Sequence, residues 1–183
     1  TLVASDGELT STSVIAFDIS DVDEAPSLSS TLKSESFEES IAVGTALASI
    51  SSIDPESQTI TYSLSGTGSE NFEIDSEGNI TSKVAFDYET ATSYTFNVTA
   101  SDGTNSTTSP LTITLSDVNE SPDVTISLQG NEFAENITAG STIATIAYTD
   151  PESDELTYTL SGTGSDQFSI DDQGVITLKT GLD

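Results

Sequence analysis

Apolar residues recur at every second position through much of this chain. Ile60, Tyr62 and Leu64, then Tyr94, Phe96 and Val98, then Leu111, Ile113 and Leu115 alternate with Thr, Ser or Asn. A period of two marks strands with one face buried and one in water. Turn signals separate these runs: Ser65 to Ser69 with two glycines, Glu77-Gly78-Asn79, Asp102-Gly103 and the proline-bearing junctions. No stretch carries an apolar face at helical period. In the best-defined region strands are predicted near 29–38, 45–53, 59–65, 71–74, 79–84, 92–101 and 108–117. Seven short strands imply an antiparallel β-sandwich, with all-β class and Greek-key connections.

The pattern is also periodic on a longer scale. Asp21-Val22-Asp23-Glu24-Ala25-Pro26 returns as Asp117-Val118-Asn119-Glu120-Ser121-Pro122, and Asp54-Pro55-Glu56-Ser57 returns as Asp150-Pro151-Glu152-Ser153, both at an offset of 96. Ser65 to Ser69 returns as Ser161 to Ser165, and Ala4-Ser5-Asp6-Gly7 precedes Ala100-Ser101-Asp102-Gly103 by the same interval. A unit of this size is a domain and not a solenoid turn. The sequence therefore divides into the last two strands of one repeat (1–23), a complete repeat (24–119) and the first two thirds of another (120–183). Segment 1–20 lines up with the last two strands of the complete repeat, and 120–183 with everything before them. Two readings follow: 1–23 of one molecule completes the sandwich begun by 120–183 of another, a head-to-tail self-association by strand complementation, or the chain is an arbitrary cut from a longer array of repeats.

Charge narrows the chemistry. Of 183 residues, 31 are acidic and 3 basic, a net charge of −28. That excludes a surface tracking nucleic-acid phosphates and a polybasic membrane patch. Cysteine, histidine, tryptophan and methionine are absent. There is thus no disulfide framework, no imidazole or thiolate metal site and no Ser-His or Cys-His nucleophile pair. Paired acids such as Asp87 with Glu89 could suggest a glycosidase, but no Trp is present to line a sugar cleft. No enzyme is expected. No apolar run is long enough to span a bilayer, and Thr1 to Gly7 lack the basic flank and apolar stretch of a signal peptide, so the chain reads as an internal or processed segment. Asn-x-Ser/Thr triplets such as Asn79-Ile80-Thr81, Asn97-Val98-Thr99, Asn105-Ser106-Thr107 and Asn136-Ile137-Thr138 arise readily in a chain nearly one third Ser and Thr.

The acids are not scattered evenly. Glu38-Glu39, Asp54 with Glu56, Asp87 with Glu89, Asp102 and the run Asp117 to Glu120 all fall at strand ends or in loops. Clustered carboxylates repel one another unless a cation neutralises them. Calcium, which takes 6 to 8 oxygen ligands in irregular geometry, suits such a set; zinc and copper, without His or Cys, do not.

At these residues the chain resembles tandem cadherin-type repeats in the divergent form of large bacterial surface adhesins. The resemblance rests on Glu39 followed by Val43-Gly44-Thr45, on Asp54-x-Glu56, on Phe72-x-Ile74-Asp75 with Gly78-x-Ile80, on Phe86-Asp87-Tyr88-Glu89, on Ala100-Ser101-Asp102-Gly103 and on Asp117-x-Asn119-Glu120-x-Pro122. It implies Ca2+ between consecutive domains. Around residue 120 the ligands would be Glu39, Asp87, Glu89, Asp117, Asn119, Glu120, Asp150 and Glu152. Around residue 24 they would be Asp21, Asp23, Glu24, Asp54, Glu56 and Asp102. Asp6, Glu135 and Asp183 would play the same parts in the incomplete repeats. Glu39 is preferred over Glu38, whose counterpart in the third repeat is Ala134. The linkers depart from the family pattern in carrying Glu24 and Glu120 where Asp is usual.

The function implied is a calcium-rigidified extender, or stalk, of an extracellular bacterial adhesin, its partners being neighbouring repeats of the same protein. A module recognising carbohydrate or a matching repeat is the alternative, signalled by exposed aromatics near Tyr148 or Tyr88.

Overall fold

The alternating runs at 60–64, 94–98 and 111–115 form strands. The computed structural model describes residues 1–181. In chain order the strands are β1 (Leu2–Ser5), β2 (Thr10–Ser13), β3 (Ser29–Leu32), β4 (Phe37–Glu38), β5 (Ala46–Ser51), β6 (Thr61–Ser65), β7 (Phe72–Ile74), β8 (Asn79–Ser82), β9 (Ser93–Ser101), β10 (Ser106–Ser116), β11 (Asp123–Leu128), β12 (Thr142–Thr149), β13 (Phe168–Ile170) and β14 (Val175–Leu178). Two single 3-10 turns, Ser69–Asn71 and Ser165–Gln167, precede β7 and β13.

The complete repeat holds two sheets, ordered β3-β5-β8-β7 and β4-β10-β9-β6. The chain passes between them in Greek-key fashion. The predicted strand 29–38 is two strands on different sheets: β3 pairs antiparallel with β5, whereas β4 pairs with β10. That second pairing is parallel, Phe37 opposite Leu115 and Glu38 opposite Ser116, so the sandwich is not wholly antiparallel. The polar run Lys33 to Ser36 allows the crossing, because nothing apolar in it holds the chain to the first sheet.

The chain forms two compact units. One comprises Thr1–Glu35, Ala42–Val84 and Tyr94–Ile113; the other comprises Ser36–Ile41, Ala85–Ser93 and Thr114 onward. The core of the first is Leu47, Ala48, Ile50, Phe72, Ile80, Phe96, Val98, Ala100, Leu111 and Ile113. Within it the Phe72 and Phe96 rings lie 4.6 Å apart and Tyr94 meets Phe72 edge-on at 5.6 Å. Gly78 sits in the left-handed region (φ 83°) against β5, where a Cβ would stand 2.4 Å from the Ile50 carbonyl oxygen, so no other residue fits that turn. In the second unit Phe37, Phe86, Leu115, Ala144 and Leu178 are buried.

The 96-residue offset extends to the backbone. Strands β11-β12-β14-β13 repeat the order and register of β3-β5-β8-β7, down to a bulge at Thr142/Ala144 that copies the one at Ala46/Ala48. Residues 157–161, the counterpart of β6, are not a strand. In the first unit, β1 and β2 form an isolated antiparallel hairpin, exposed at every position.

Candidate metal centre

Two turn designs place the acids. In Asp54-Pro55-Glu56-Ser57 the Asp54 carbonyl accepts from the Ser57 N–H at 3.1 Å, and its Oδ1 accepts from the Gln58 N–H at 2.9 Å. The turn forces Ser57 to φ 62°, a left-handed conformation costly for a residue with a side chain. Asp150 to Asp154 repeat it, Ser153 also at φ 62°. The turns fix the backbone that presents Glu56 and Glu152, while Asp54 and Asp150 each spend one oxygen on closing the turn.

Within the second unit the acids converge. One carboxylate oxygen from each of Glu39, Glu89 and Glu120 lies within 4.8 Å of the others, and the same holds for Glu89, Asp117 and Glu152. Glu89 belongs to both groups. Glu39 is only 5% exposed; its Oε2 accepts from the Tyr88 N–H at 2.6 Å and its Oε1 from the Val118 N–H at 2.9 Å. Glu120 donates its N–H to Glu152 Oε1 at 3.1 Å. The outer oxygens, Glu120 Oε2 and Glu152 Oε2, are buried with no hydrogen-bond partner.

This crowding is visible in the acidities. Glu120 is pushed up to about 7, first by a side-chain hydrogen bond shared with Glu152, then by desolvation and repulsion from Glu39, Glu152 and Glu89. Glu152 is lowered by the same side-chain interaction, so the two carboxylates titrate as a coupled pair. Glu89 gains a lowering bond from its own backbone, but desolvation and repulsion from Glu39, Asp117 and Glu152 leave it raised.

In the first unit Asp21, Glu24 and Glu56 form a third group within 4.8 Å. Glu56 is raised by its side-chain bond to Glu24. Asp54 Oδ2 and Asp102 Oδ2 are buried and unpartnered. Asp102 Oδ1 accepts from the N–H groups of Thr104 and Asn105, both at 2.6 Å. Asp23 accepts from Asn105 Nδ2 at 2.9 Å and from Gln58 Nε2.

Not every expected ligand joins a group. Asp87 caps its own turn, accepting from the Thr90 N–H at 2.8 Å. Asn119 Nδ2 donates to the Glu120 carbonyl at 3.0 Å, and Asp150 Oδ1 is engaged by the Asp154 N–H. Asp6 and Glu135 are exposed, and Asp183 lies outside the described residues. Gln58 and Asn105, which orient Asp23, were not singled out by sequence. A signal existed: Asp23 and Gln58 are replaced in the next repeat by Asn119 and Asp154, an exchange of acid and amide between the two positions.

Two buried carboxylate oxygens without donors, Glu120 Oε2 and Glu152 Oε2, in groups made only of oxygen ligands, fit a hard cation; Asp54 and Asp102 offer two more but join none of the three groups. Calcium fits this donor set; a metal that prefers nitrogen or sulfur does not.

Residues 33–116 match the cadherin domain family model. That segment is similar to a cadherin domain. The chain is 30% identical over 189 residues to mouse cadherin EGF LAG seven-pass G-type receptor 2, a match covering 96% of this chain and 6% of the receptor. It is 30% identical over 200 residues to human protocadherin Fat 1, covering 100% of this chain and 4% of that protein. Among solved structures, human protocadherin-24 EC1-2 superposes with a TM-score of 0.63 at 20% identity, covering 88% of this chain and 82% of that chain. Mouse cadherin-23 EC22-24 gives 0.53 at 26% identity, covering 87% and 55%. The chain thus spans a small fraction of both sequence relatives, which are animal proteins and do not bear on the bacterial setting expected from sequence. Cadherin domains are extracellular adhesion modules, and calcium binding is typical of them.

The raised Glu120 gives a test at this site. In the ion-free chain Glu120 is protonated below about pH 7, and a cation must displace that proton. Calcium affinity is therefore expected to fall as pH drops from 8 towards 6, with proton uptake or release followed by calorimetry in buffers of different ionisation heat. Glu120→Gln should flatten that pH dependence. Because the folded pKa lies above the unfolded carboxylate value, the ion-free fold loses stability as pH rises between these values.

Proposed function

We propose that this chain is a calcium-rigidified extender segment of an extracellular adhesion protein, of the bacterial surface-adhesin kind. The observation that carries the reading is the pair of acidic groups sharing Glu89, around Glu120 and Glu152, whose outer oxygens are buried without a donor. Glu39, Glu89, Asp117, Glu120 and Glu152 would hold calcium there. Asp87, Asn119 and Asp150 would join by rotating about their side-chain torsions. Asp21, Glu24 and Glu56, with Asp23, Asp54 and Asp102, would serve the preceding linker.

Bound calcium neutralises the carboxylates. Without it they repel, and the linker segments near Glu24 and Glu120 are free to swivel; with it the same side chains converge on shared ions. The bacterial assignment is supported by the divergent linkers, with Glu at 24 and 120, and by the cysteine-free acidic composition.

Small-angle scattering with millimolar calcium and then with chelator tests this. The expected result is a greater maximum dimension in calcium at constant mass. Equal dimensions under both conditions would show the acids to be ordinary solvated surface.

A second reading, recognition of a glycan or a matching repeat, has one observation in its favour. Tyr148 is 44% exposed and stacks edge-on against Tyr158 at 6.3 Å, an aromatic pair on the surface of the second unit. Retention on a polysaccharide column, lost in Tyr148→Ala, would favour it.

A further inference from the structure

Asp23 stands between Asp21 and Glu24 in the first linker yet joins none of the three carboxylate groups among the described residues. Asp21, Val22 and Glu24 are exposed, whereas Asp23 is half-buried. Both of its carboxylate oxygens are taken by amides: Oδ1 accepts from Gln58 Nε2, and Oδ2 accepts from Asn105 Nδ2 at 2.9 Å. The same Asn105 nitrogen donates to the Asp23 carbonyl, also at 2.9 Å, so backbone and side chain of one linker residue are held together.

The two amides come from the two acid turns. The Gln58 N–H donates to Asp54 Oδ1 at 2.9 Å, and the Asn105 N–H to Asp102 Oδ1 at 2.6 Å. Each amide residue therefore carries a turn acid on its backbone and Asp23 on its side chain. Hydrogen bonds to a carboxylate are about twice as strong as neutral ones, and they need no cation. Further bonds continue the grip along the linker: Thr107 Oγ1 donates to the Pro26 carbonyl at 2.6 Å, the Ser27 N–H to the Ile53 carbonyl at 2.8 Å and the Ile53 N–H to Ser27 Oγ at 2.9 Å. The anchored backbone then delivers Glu24, whose N–H reaches Glu56 Oε2 at 3.4 Å, into the group with Asp21.

The next repeat supplies an independent sign that positions 23 and 58 act as a pair. At the 96-residue offset Asp23 becomes Asn119 and Gln58 becomes Asp154, so the acid and the amide change places. Stereochemistry permits the exchange: an Asn at 23 still offers an oxygen to Asn105 and turns its own amide N–H towards an acid at 58. Two acids at these positions would repel, and two amides would give up the charge-assisted bonds. In the second linker Asn119 Nδ2 donates to the Glu120 carbonyl, so the closed pair is seen at the first.

We infer that Gln58 and Asn105 are positioning residues of the first linker. They form a clasp on Asp23 that holds 23–27 against the complete repeat without an ion and presets Glu24 and Glu56 for one. The second half of that statement rests on the calcium reading; the first half does not. Gln58 is exposed and Asn105 half-buried, so neither is needed for the core.

Amide exchange and calcium titration of the isotope-labelled chain, both followed by NMR, test this. In chelator, Gln58→Glu sets a second carboxylate of equal reach against Asp23, and exchange at the Glu24 and Ser27 amides should speed up about 10-fold, the loss of one hydrogen bond to a charged group. Adding Asp23→Asn should recover at least half of that on a logarithmic scale. Exchange at Val98, in the core strand β9, should stay the same throughout, which separates the clasp from a general loss of stability. In calcium, Asn105→Ala, which changes no charge, should weaken binding read at the Glu24 and Glu56 amides about 10-fold. Binding read at Glu120 and Glu152 in the same chain should be unchanged. Exchange at Glu24 indifferent to Gln58→Glu, or a double variant that recovers less than half, overturns the inference; so does wild-type calcium affinity at Glu24 in Asn105→Ala. A wild-type chain whose Glu24 and Glu56 amides ignore calcium defeats the calcium reading instead, and the comparison in chelator still decides the clasp.

Discussion

Removing calcium is expected to lower the melting temperature of this chain by at least ~10 °C. Extracellular calcium modules bind at about 10⁻⁴ to 10⁻³ M. At 10 mM calcium each site then lies roughly 10- to 100-fold above its dissociation constant, and each ion adds about 1.4 to 2.7 kcal/mol. Two ions at the groups sharing Glu89 supply about 3 to 5 kcal/mol, and each kcal/mol moves the midpoint of a domain this size by roughly 4 to 8 °C. The shift exceeds ordinary salt effects because the ions relieve a repulsion built into the fold, with Glu120 held at about 7 when no cation is present. Far-UV circular dichroism melts in calcium, in equal ionic strength of magnesium and in chelator provide the check. Magnesium, which dehydrates reluctantly, should restore little. Identical midpoints in calcium and chelator would remove the cation from the account.

Replacing Glu39 is the second large effect. Its two oxygens are each committed to a backbone N–H, one in the 85–93 loop and one at Val118. Gln at this position keeps one acceptor and turns an amide N–H towards the other donor, leaving a buried group unsatisfied at about 1 to 3 kcal/mol. Glu39→Gln should therefore melt lower even in chelator. It also removes a negative charge from the group with Glu89 and Glu120, so calcium affinity should fall at least ~10-fold, the smallest loss typical of groups one layer further from a metal. Glu38→Gln is the control: the Glu38 carboxylate is exposed and accepts from the Ser40 hydroxyl at 3.4 Å, so its effect should stay within about 0.5 kcal/mol. Melts and calcium titrations of both variants, each in calcium and in chelator, separate the two roles of Glu39. A calcium affinity unchanged in Glu39→Gln would reduce it to a structural clasp.

These residues also show how far the sequence could be read. The offset of 96 and the all-β class were legible because turn glycines such as Gly78 and Gly174 are needed for close backbone approach and recur in register. Strand β4 was not, since two residues show no alternation and its partner β10 lies some 80 positions away in parallel register. The acids at Glu39, Glu89, Asp117, Glu120 and Glu152 were found from spacing and family pattern, and the structure brings them together. Spacing is silent on rotamers, however. Asp87 sits two residues before Glu89 yet turns inward to its own loop, and nothing in Asp-x-Glu announces that difference. Gln58 and Asn105 escaped because a neutral amide near a carboxylate has no charge pattern to betray it; only comparison of the two repeats exposes the exchange with Asn119 and Asp154.

The parallel pairing of β4 with β10 has a mechanical consequence. Tension applied at the start of β4 and at the end of β10 drags the two strands in opposite directions along their shared axis. Parallel neighbours pulled this way are loaded in shear, and their rungs must yield together, unlike a hairpin unzipped one bond at a time. The Glu39 N–H bond to the Ser116 carbonyl (3.1 Å) and the Glu39 carboxylate bond to Val118 extend that bolt past the last ladder pair, on the side from which tension arrives.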